Sequence, residues 1–258
     1  MQPNNILAFK YHSAQRNATG CEGCVRRASC PLNLANNGEL EGSGARIVHL
    51  GPVHQGQHAI RAGDKFDGFY VVRSGTFKSF NVNPDGDAQI TGFYLPGEIF
   101  GMEGIQNGLH TCNVTSLDTG SLCRVPMEHF AEFTASRYSL MLYLLKIMDG
   151  ALSRSHRLIF SMGKLTAMQR LAEFIVDLFA RSQQHRMQGH GLVLHMSRGD
   201  IANYIGMAIE TVSRVFSQLN AIGVLDVKRR SIELKDMALL HAIVRDDSVA
   251  VALLKKAG

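Results

Sequence analysis

From about residue 46 to residue 126, apolar and polar residues alternate with a period near two. Glycine-bearing turns (IRAGD, VVRSG, NPDGD, LPGE and IFGME) interrupt the pattern about every ten residues. This predicts short antiparallel strands stacked as a sandwich or barrel. FYVVRSG and TFKSFNV, rich in aromatic and β-branched residues, suit a half-buried pleated surface. From about Ser136 the period lengthens to about 3.6. Leu145, Met148, Leu152, Ser155 and Ile159 recur at steps of three, four, three and four, which predicts a helix with a narrow apolar seam. Such a seam either packs on its own domain or pairs with a second copy of itself. Gly150 lowers helix propensity inside it, and Ser155 interrupts the stripe.

After Gly163, TAMQRLAEFIVDLFA opens with Thr166 three residues before Gln169, the spacing of a capping box. Leu171, Phe174, Ile175, Leu178 and Phe179 then share one face, so this is an amphipathic support helix. A polar break, QQHRMQGHG, precedes the strand LVLHM. SRGDIANYIGMAIETVSRVFSQLNAIGVLDVKRRSIELKD follows. Ser197 and Asp200 cap a short helix ending near Gly206, and a second helix runs from about Ala208 to Asn220. Two helices around a glycine-containing turn make a helix-turn-helix. VLDVK and SIELK, joined at Arg229 and Arg230, form a hairpin that fits the wing of a winged helix.

Composition adds a direction. A chain of 258 residues, 45% hydrophobic and 19% charged, suffices for two domains with separate cores. The net charge of +5 is uneven: residues 1–163 carry 14 Lys and Arg against 13 Asp and Glu (+1), and residues 164–258 carry 13 against 9 (+4). The second half therefore suits an anionic partner. MQPNNILAFK has neither the basic start nor the apolar run of a signal peptide, and SLMLYLLKIM is too short and interrupted to span a bilayer. A cytoplasmic location with no membrane partner is expected.

Three of the five cysteines, Cys21, Cys24 and Cys30, fall in the stretch CEGCVRRASC. In a reducing cytoplasm a close-set group of this kind binds metal or is redox-active more often than it forms disulfides. Thiolates are soft ligands suited to zinc or iron-sulfur clusters, and a cubane cluster takes four of them. Structural zinc prefers two C-x2-C pairs. Spacing alone does not choose between Cys112 and Cys123 as a fourth ligand, because loop-closure entropy over about a hundred residues differs trivially between them.

ETVSR on the second helix, SRGDIANYIG on the first, the glycine-punctuated strands, the long seam helix and the N-terminal C-x2-C-x5-C together resemble the Crp/Fnr family of bacterial transcription regulators, and specifically its Fnr branch. The resemblance covers nearly the whole chain. It implies an α+β protein: a cysteine-containing segment (1–45), an antiparallel β-roll like a cyclic-nucleotide-binding domain (46–135), a dimerisation helix carrying the seam (136–163) and a winged helix-turn-helix DNA-binding domain (164–258). It also implies a homodimer active while a 4Fe-4S cluster is intact and responsive to oxygen. Double-stranded DNA with TTGAT half-sites in an inverted repeat, and RNA polymerase, are the implied partners. SLCRVP at 121–126 resembles the family segment carrying the distal ligand, so the implied ligand set is Cys21, Cys24, Cys30 and Cys123. Cys112 is then a small core residue.

Glu210, Ser213 and Arg214 share a face near the start of the second helix. In the major groove Arg grips guanine O6 and N7 with two hydrogen bonds, Glu accepts from cytosine N4, and Ser contacts either type of edge. Arg198 on the first helix and Arg229 in the wing complete the expected DNA contacts. Ala208 departs from the family pattern, which often has a Ser or Thr cap there; a missing cap costs about 1 kcal/mol.

Rival ligands and classes fit less well. Gly97 and Glu98 match the start of a cyclic AMP phosphate segment, but the chain has no arginine between Arg73 and Arg124, and a buried phosphate needs such a partner. None of the eleven histidines sits in a C-x-x-C-H haem sequence. No nucleotide-binding glycine motif, paired carboxylates or Ser/His/Asp set is recognisable, so the chain is expected not to be an enzyme. A thiol- or zinc-dependent redox regulator of the same fold, and an iron-sulfur electron-transfer enzyme, are the alternatives.

Overall fold

The computed structural model describes Cys21, Cys24, residues 26–30, Asn33, and residues 47–129, 138–184 and 191–257. Most of the expected segment 1–45, residues 136 and 137 of the expected long helix, and residues 185–190 of the polar break lie outside the described residues.

The glycine-punctuated region forms β1 (Val48–Val53), β2 (His58–Ile60), β3 (Gly68–Ser74), β4 (Phe77–Val82), β5 (Ala88–Tyr94), β6 (Ile99–Phe100), β7 (Asn113–Ser116) and β8 (Gly120–Pro126). They pair antiparallel in two four-stranded sheets, ordered β1-β8-β3-β6 and β2-β7-β4-β5. Tyr70 and Val72 of β3 point into a core with Phe77, Phe100, Val114 and Leu122, drawn from both sheets. Phe69 and Val71 point the other way, into a second cluster with Ile99, Val125 and Leu144. Both faces of β3 are therefore buried, which is why FYVV is continuously apolar instead of alternating.

Helix α1 (Tyr138–Lys164) follows, then α2 (Ala167–Gln184), β9 (Gly191–Val193), α3 (Arg198–Ile205), α4 (Ile209–Ala221), β10 (Leu225–Lys228), β11 (Ser231–Leu234), α5 (Met237–Arg245) and α6 (Ser248–Ala257). Thr166 and Gln169 form the expected reciprocal cap on α2: each backbone N–H donates to the other's side chain, at 3.0 and 3.4 Å. Leu171, Phe174, Ile175, Leu178 and Phe179 are buried on one face, as their spacing predicts. The strand expected over LVLHM is shorter. β9 ends at Val193, and Leu194 and Met196 are buried beyond it, with the Leu194 N–H donating to the Arg230 carbonyl at 2.7 Å. β9, β11 and β10 make a three-stranded antiparallel sheet.

One core runs from the roll into the helical half, where Ile90, Phe93 and Leu95 pack with α2 residues such as Phe174 and Leu178. Arg181 of α2 is buried as well. Its Nε donates to Glu98 Oε1 at 2.7 Å, Nη2 to Glu98 Oε2 at 2.6 Å and to the Phe93 carbonyl at 2.5 Å, and Nη1 to Asp177 Oδ2 at 3.1 Å. Burial acts to lower the Arg181 pKa, but Glu98 and then Asp177 outweigh it, so its net pKa rises above the ordinary value and the guanidinium stays charged. Glu98, the residue that suggested a nucleotide phosphate segment, is thus committed to a protein partner. Among the described residues no helix is long and apolar enough to cross a membrane.

Candidate functional site

The local sequence coils the cysteines into one small turn region. The Cys24 N–H donates to the Cys21 carbonyl at 3.3 Å, Arg27 N–H to Cys24 O at 2.9 Å, and Cys30 N–H to Arg27 O at 3.3 Å around a 3-10 turn, Arg27–Ser29. Asn33 Nδ2 also donates to the Arg27 carbonyl, at 3.0 Å. These turns bring Cys21 and Cys30 onto the outer face of the β1-β8-β3-β6 sheet. Cys123 lies on the same face: on β8, Leu122 points into the roll, while Cys123 and Val125 join the outer cluster.

The ionisation of Cys123 reports that proximity. Burial pushes its thiol up to about 12, and the charges of Cys30, Cys21 and Cys24 push the same way. Cys112 is elsewhere, buried inside the roll, where its Sγ donates to Glu103 Oε1 at 3.5 Å; burial and Glu103 raise it too, to about 12. All five cysteines are thiols. Among the described residues no group of three or more His, Cys, Asp and Glu side chains closes to metal-holding distances. The chemistry of the donor set nonetheless fits a soft multinuclear centre. Cys21, Cys30 and Cys123 pack in one apolar pocket, and ionisation of the Cys123 thiol is opposed by burial and by the neighbouring Cys30, Cys21 and Cys24; a bound cationic core relieves both penalties at Cys123. A residue missed in the sequence adjoins them. His49 is the β1 register partner of Cys123, and its Nδ1 lies 3.3 Å from Cys123 Sγ. Only the register brings these residues together, across 74 positions of sequence.

The same cluster reaches α1, since Tyr143, Leu144 and Ile147 pack into it. The adjoining face of the helix is bare: Leu145, Met148, Leu152 and Ile159 are 52%, 49%, 56% and 65% exposed, and Ser155 is exposed with its hydroxyl donating to the Ala151 carbonyl. Met141, Leu142 and Phe160 widen the exposed stripe beyond the narrow seam the spacing suggested.

In the reader, Ser197 caps α3 with the full box: its hydroxyl accepts from the Asp200 N–H at 3.0 Å, and Asp200 Oδ2 accepts from the Ser197 N–H at 2.9 Å. Gly206 ends α3 at φ +66, the left-handed conformation that favours glycine, and an added Cβ would press on the flexible Met162 side chain at 3.0 Å. Helix α4 begins at Ile209 without a side-chain cap on Ala208. It buries Val212, Val215, Phe216 and Leu219 and leaves Glu210, Ser213 and Arg214 exposed together. Arg229 and Arg230 are exposed at the tip of the β10–β11 hairpin, with Arg229 at φ +55. Arg198 is less open: its guanidinium lies 3.4 Å over the Phe216 ring, a cation–π contact that ties α3 to α4.

A three-stranded winged helix-turn-helix behind a two-sheet roll defines a DNA-binding transcription regulator. Comparison with known proteins agrees. Residues 52–137 match the cyclic nucleotide-binding domain, and residues 169–243 match the Crp-like helix-turn-helix domain. The chain is 32% identical over 226 residues to the fumarate and nitrate reduction regulatory protein of Salmonella typhi, covering 88% of this chain and 90% of that one. It is 33% identical over 231 residues to the transcriptional activator protein Anr of Pseudomonas protegens, covering 88% and 93%. Among solved structures, FixK2 from Bradyrhizobium japonicum superposes with a TM-score of 0.67 at 26% identity, covering 77% and 96%. The chain belongs to the Crp/Fnr family, whose members matched here are regulators and not enzymes.

Proposed function

We propose that this protein is an oxygen-responsive regulator that acts in the cytoplasm as a homodimer, with a 4Fe-4S cluster on Cys21, Cys24, Cys30 and Cys123. The observation that carries the reading is the gathering of Cys21, Cys30 and Cys123 in an apolar pocket that also receives Tyr143, Leu144 and Ile147 of α1, with Cys24 near enough for its charge to act on Cys123. The cluster, when bound, supplies oxygen-labile ligation that holds the N-terminal turn against β8. The chain does the rest. Because one face of α1 rests on the thiol pocket and the adjoining face carries the exposed stripe, movement of the cysteine turn alters how two copies of α1 meet, and with it the separation of their α4 helices. TTGAT half-sites in an inverted repeat are the proposed target, and RNA polymerase is the proposed partner of the bound dimer.

A serine series at the five cysteines, purified without oxygen, tests the ligand set. A harder, less readily ionised oxygen at Cys21, Cys24, Cys30 or Cys123 should strip or destabilise the cluster, read as loss of iron and acid-labile sulfide. Cys112→Ser should keep both. Retention at Cys123 with loss at Cys112 reverses the distal ligand, and zinc throughout the series overturns the iron-sulfur reading.

The DNA contacts predict different signatures. Arg214→Ala should cost about 1 to 3 kcal/mol and relax selectivity at one base pair of the half-site. Arg229→Ala, a phosphate contact from the wing, should weaken all sequences alike and flatten the salt dependence. Competition binding against single-base variants separates them. An equal loss on every variant for Arg214→Ala removes its base-reading role.

A further inference from the structure

The first helix of the DNA reader is fastened to the edge of the roll. β5 is the terminal strand of the β2-β7-β4-β5 sheet, so its outer backbone groups face away from β4. Asn203 of α3 pairs with them. Its Oδ1 accepts from the Ile90 N–H at 2.6 Å, and its Nδ2 donates to the Ala88 carbonyl at 2.8 Å, as the backbone of a neighbouring strand would. A carboxamide presents donor and acceptor side by side, which suits it to cap a strand edge in this way. Gln89 Nε2 donates to the Asn203 carbonyl at 2.6 Å, and Lys78 Nζ on β4 donates to Asp200 Oδ1 at 2.5 Å. Asp200 is also the capping-box partner of Ser197 in the first turn of α3, so Lys78 holds the start of that helix while Asn203 holds its end. The rings of Phe93 and Tyr204 meet edge-on at 5.1 Å between them.

The side-chain amide of Asn203 is spent on β5, not on the fold of the helix-turn-helix. Nor does it cover the reading face, since Glu210, Ser213 and Arg214 remain exposed on α4. The contact therefore fixes the angle of the reader on the roll and leaves its DNA face open. We propose that Asn203, supported by Lys78, is a positioning residue that sets the half-site spacing this regulator accepts. A reader free to pivot on the roll would tolerate several spacings; one clamped to β5 accepts few. The inference rests on the two-fold operator of the proposed function, but on no particular half-site and on no cofactor.

The test uses the full chain with Asn203→Ala, and an inverted repeat that the wild-type protein selects from a random-sequence pool. Amide exchange at Ile90 should accelerate, because its N–H loses its acceptor. The preference for the selected repeat over versions with one base pair added or removed at its centre should fall by about tenfold. Binding to a single half-site should hardly change. Unchanged spacing preference, or an equal loss on half-site and repeats, overturns the inference. If Asn203→Ala fails to fold, Lys78→Gln decides from the roll side: it should relax the same preference to a smaller extent, and full retention overturns the role. Selection of a lone half-site by the wild type would instead overturn the two-fold operator, and this inference with it.

Discussion

Arg181→Met should lower the unfolding free energy by about 3 to 5 kcal/mol, because it leaves the Glu98 carboxylate buried without its guanidinium. The side chains of Arg181 and Glu98 are only 8% and 10% exposed, so solvent screens little of the loss. The cost belongs to breaking the pair more than to losing it. Arg181→Met with Glu98→Gln should recover part of the stability, since a neutral amide is far less costly to bury than an unpaired charge. Urea unfolding of the four members of this cycle measures the coupling. Single replacements that sum to the double would mean that the two side chains do not act as a pair. The effect should also be felt across the molecule, because the pair joins α2 to the segment between β5 and β6.

Leu152→Ala should weaken dimerisation by more than its own contact suggests. In one chain Leu152 is 56% exposed at the middle of the bare α1 stripe. Buried against a second copy, truncation to Ala costs about 2 to 5 kcal/mol per site, and a two-fold interface incurs it twice. Sedimentation without oxygen should then show a larger monomer fraction, whereas the fold of each chain should hold because Leu152 lies outside the cores. An unchanged dimer constant would mean that the stripe serves another partner.

Periodicity made much of this fold legible. The helix-turn-helix could be read because Ser197, Asp200 and Gly206 are local signals: a cap, its box partner and a left-handed stop within ten residues. The support helix was equally plain, since its box and its apolar face lie in one segment. Non-local pairing stayed hidden. Nothing in His49 marks it as the neighbour of Cys123, and nothing in Asn203 marks it as a cap for a strand more than a hundred residues earlier. Both depend on sheet register and domain docking, which periodicity does not encode. The two C-terminal helices, α5 and α6, also went unassigned, although α5 carries a local signal: Asp236 accepts from the Leu239 N–H at 2.8 Å, and Leu240 and Ile243 follow at helical spacing. The exposed stripe of α1 is wider than its seam pattern for a physical reason. The helix serves two surfaces, the thiol pocket through Tyr143, Leu144 and Ile147, and the outer stripe, so apolar residues spread around more of its circumference.

The central claim is that a thiol-held iron-sulfur centre governs DNA binding. The most direct measurement is the visible absorption spectrum of the protein purified without oxygen, recorded before and after admission of air, with binding to the selected operator followed in the same samples. The account predicts iron-sulfur absorption that air bleaches, with operator binding falling as the colour fades. A colourless protein that binds its operator equally well before and after air would contradict it.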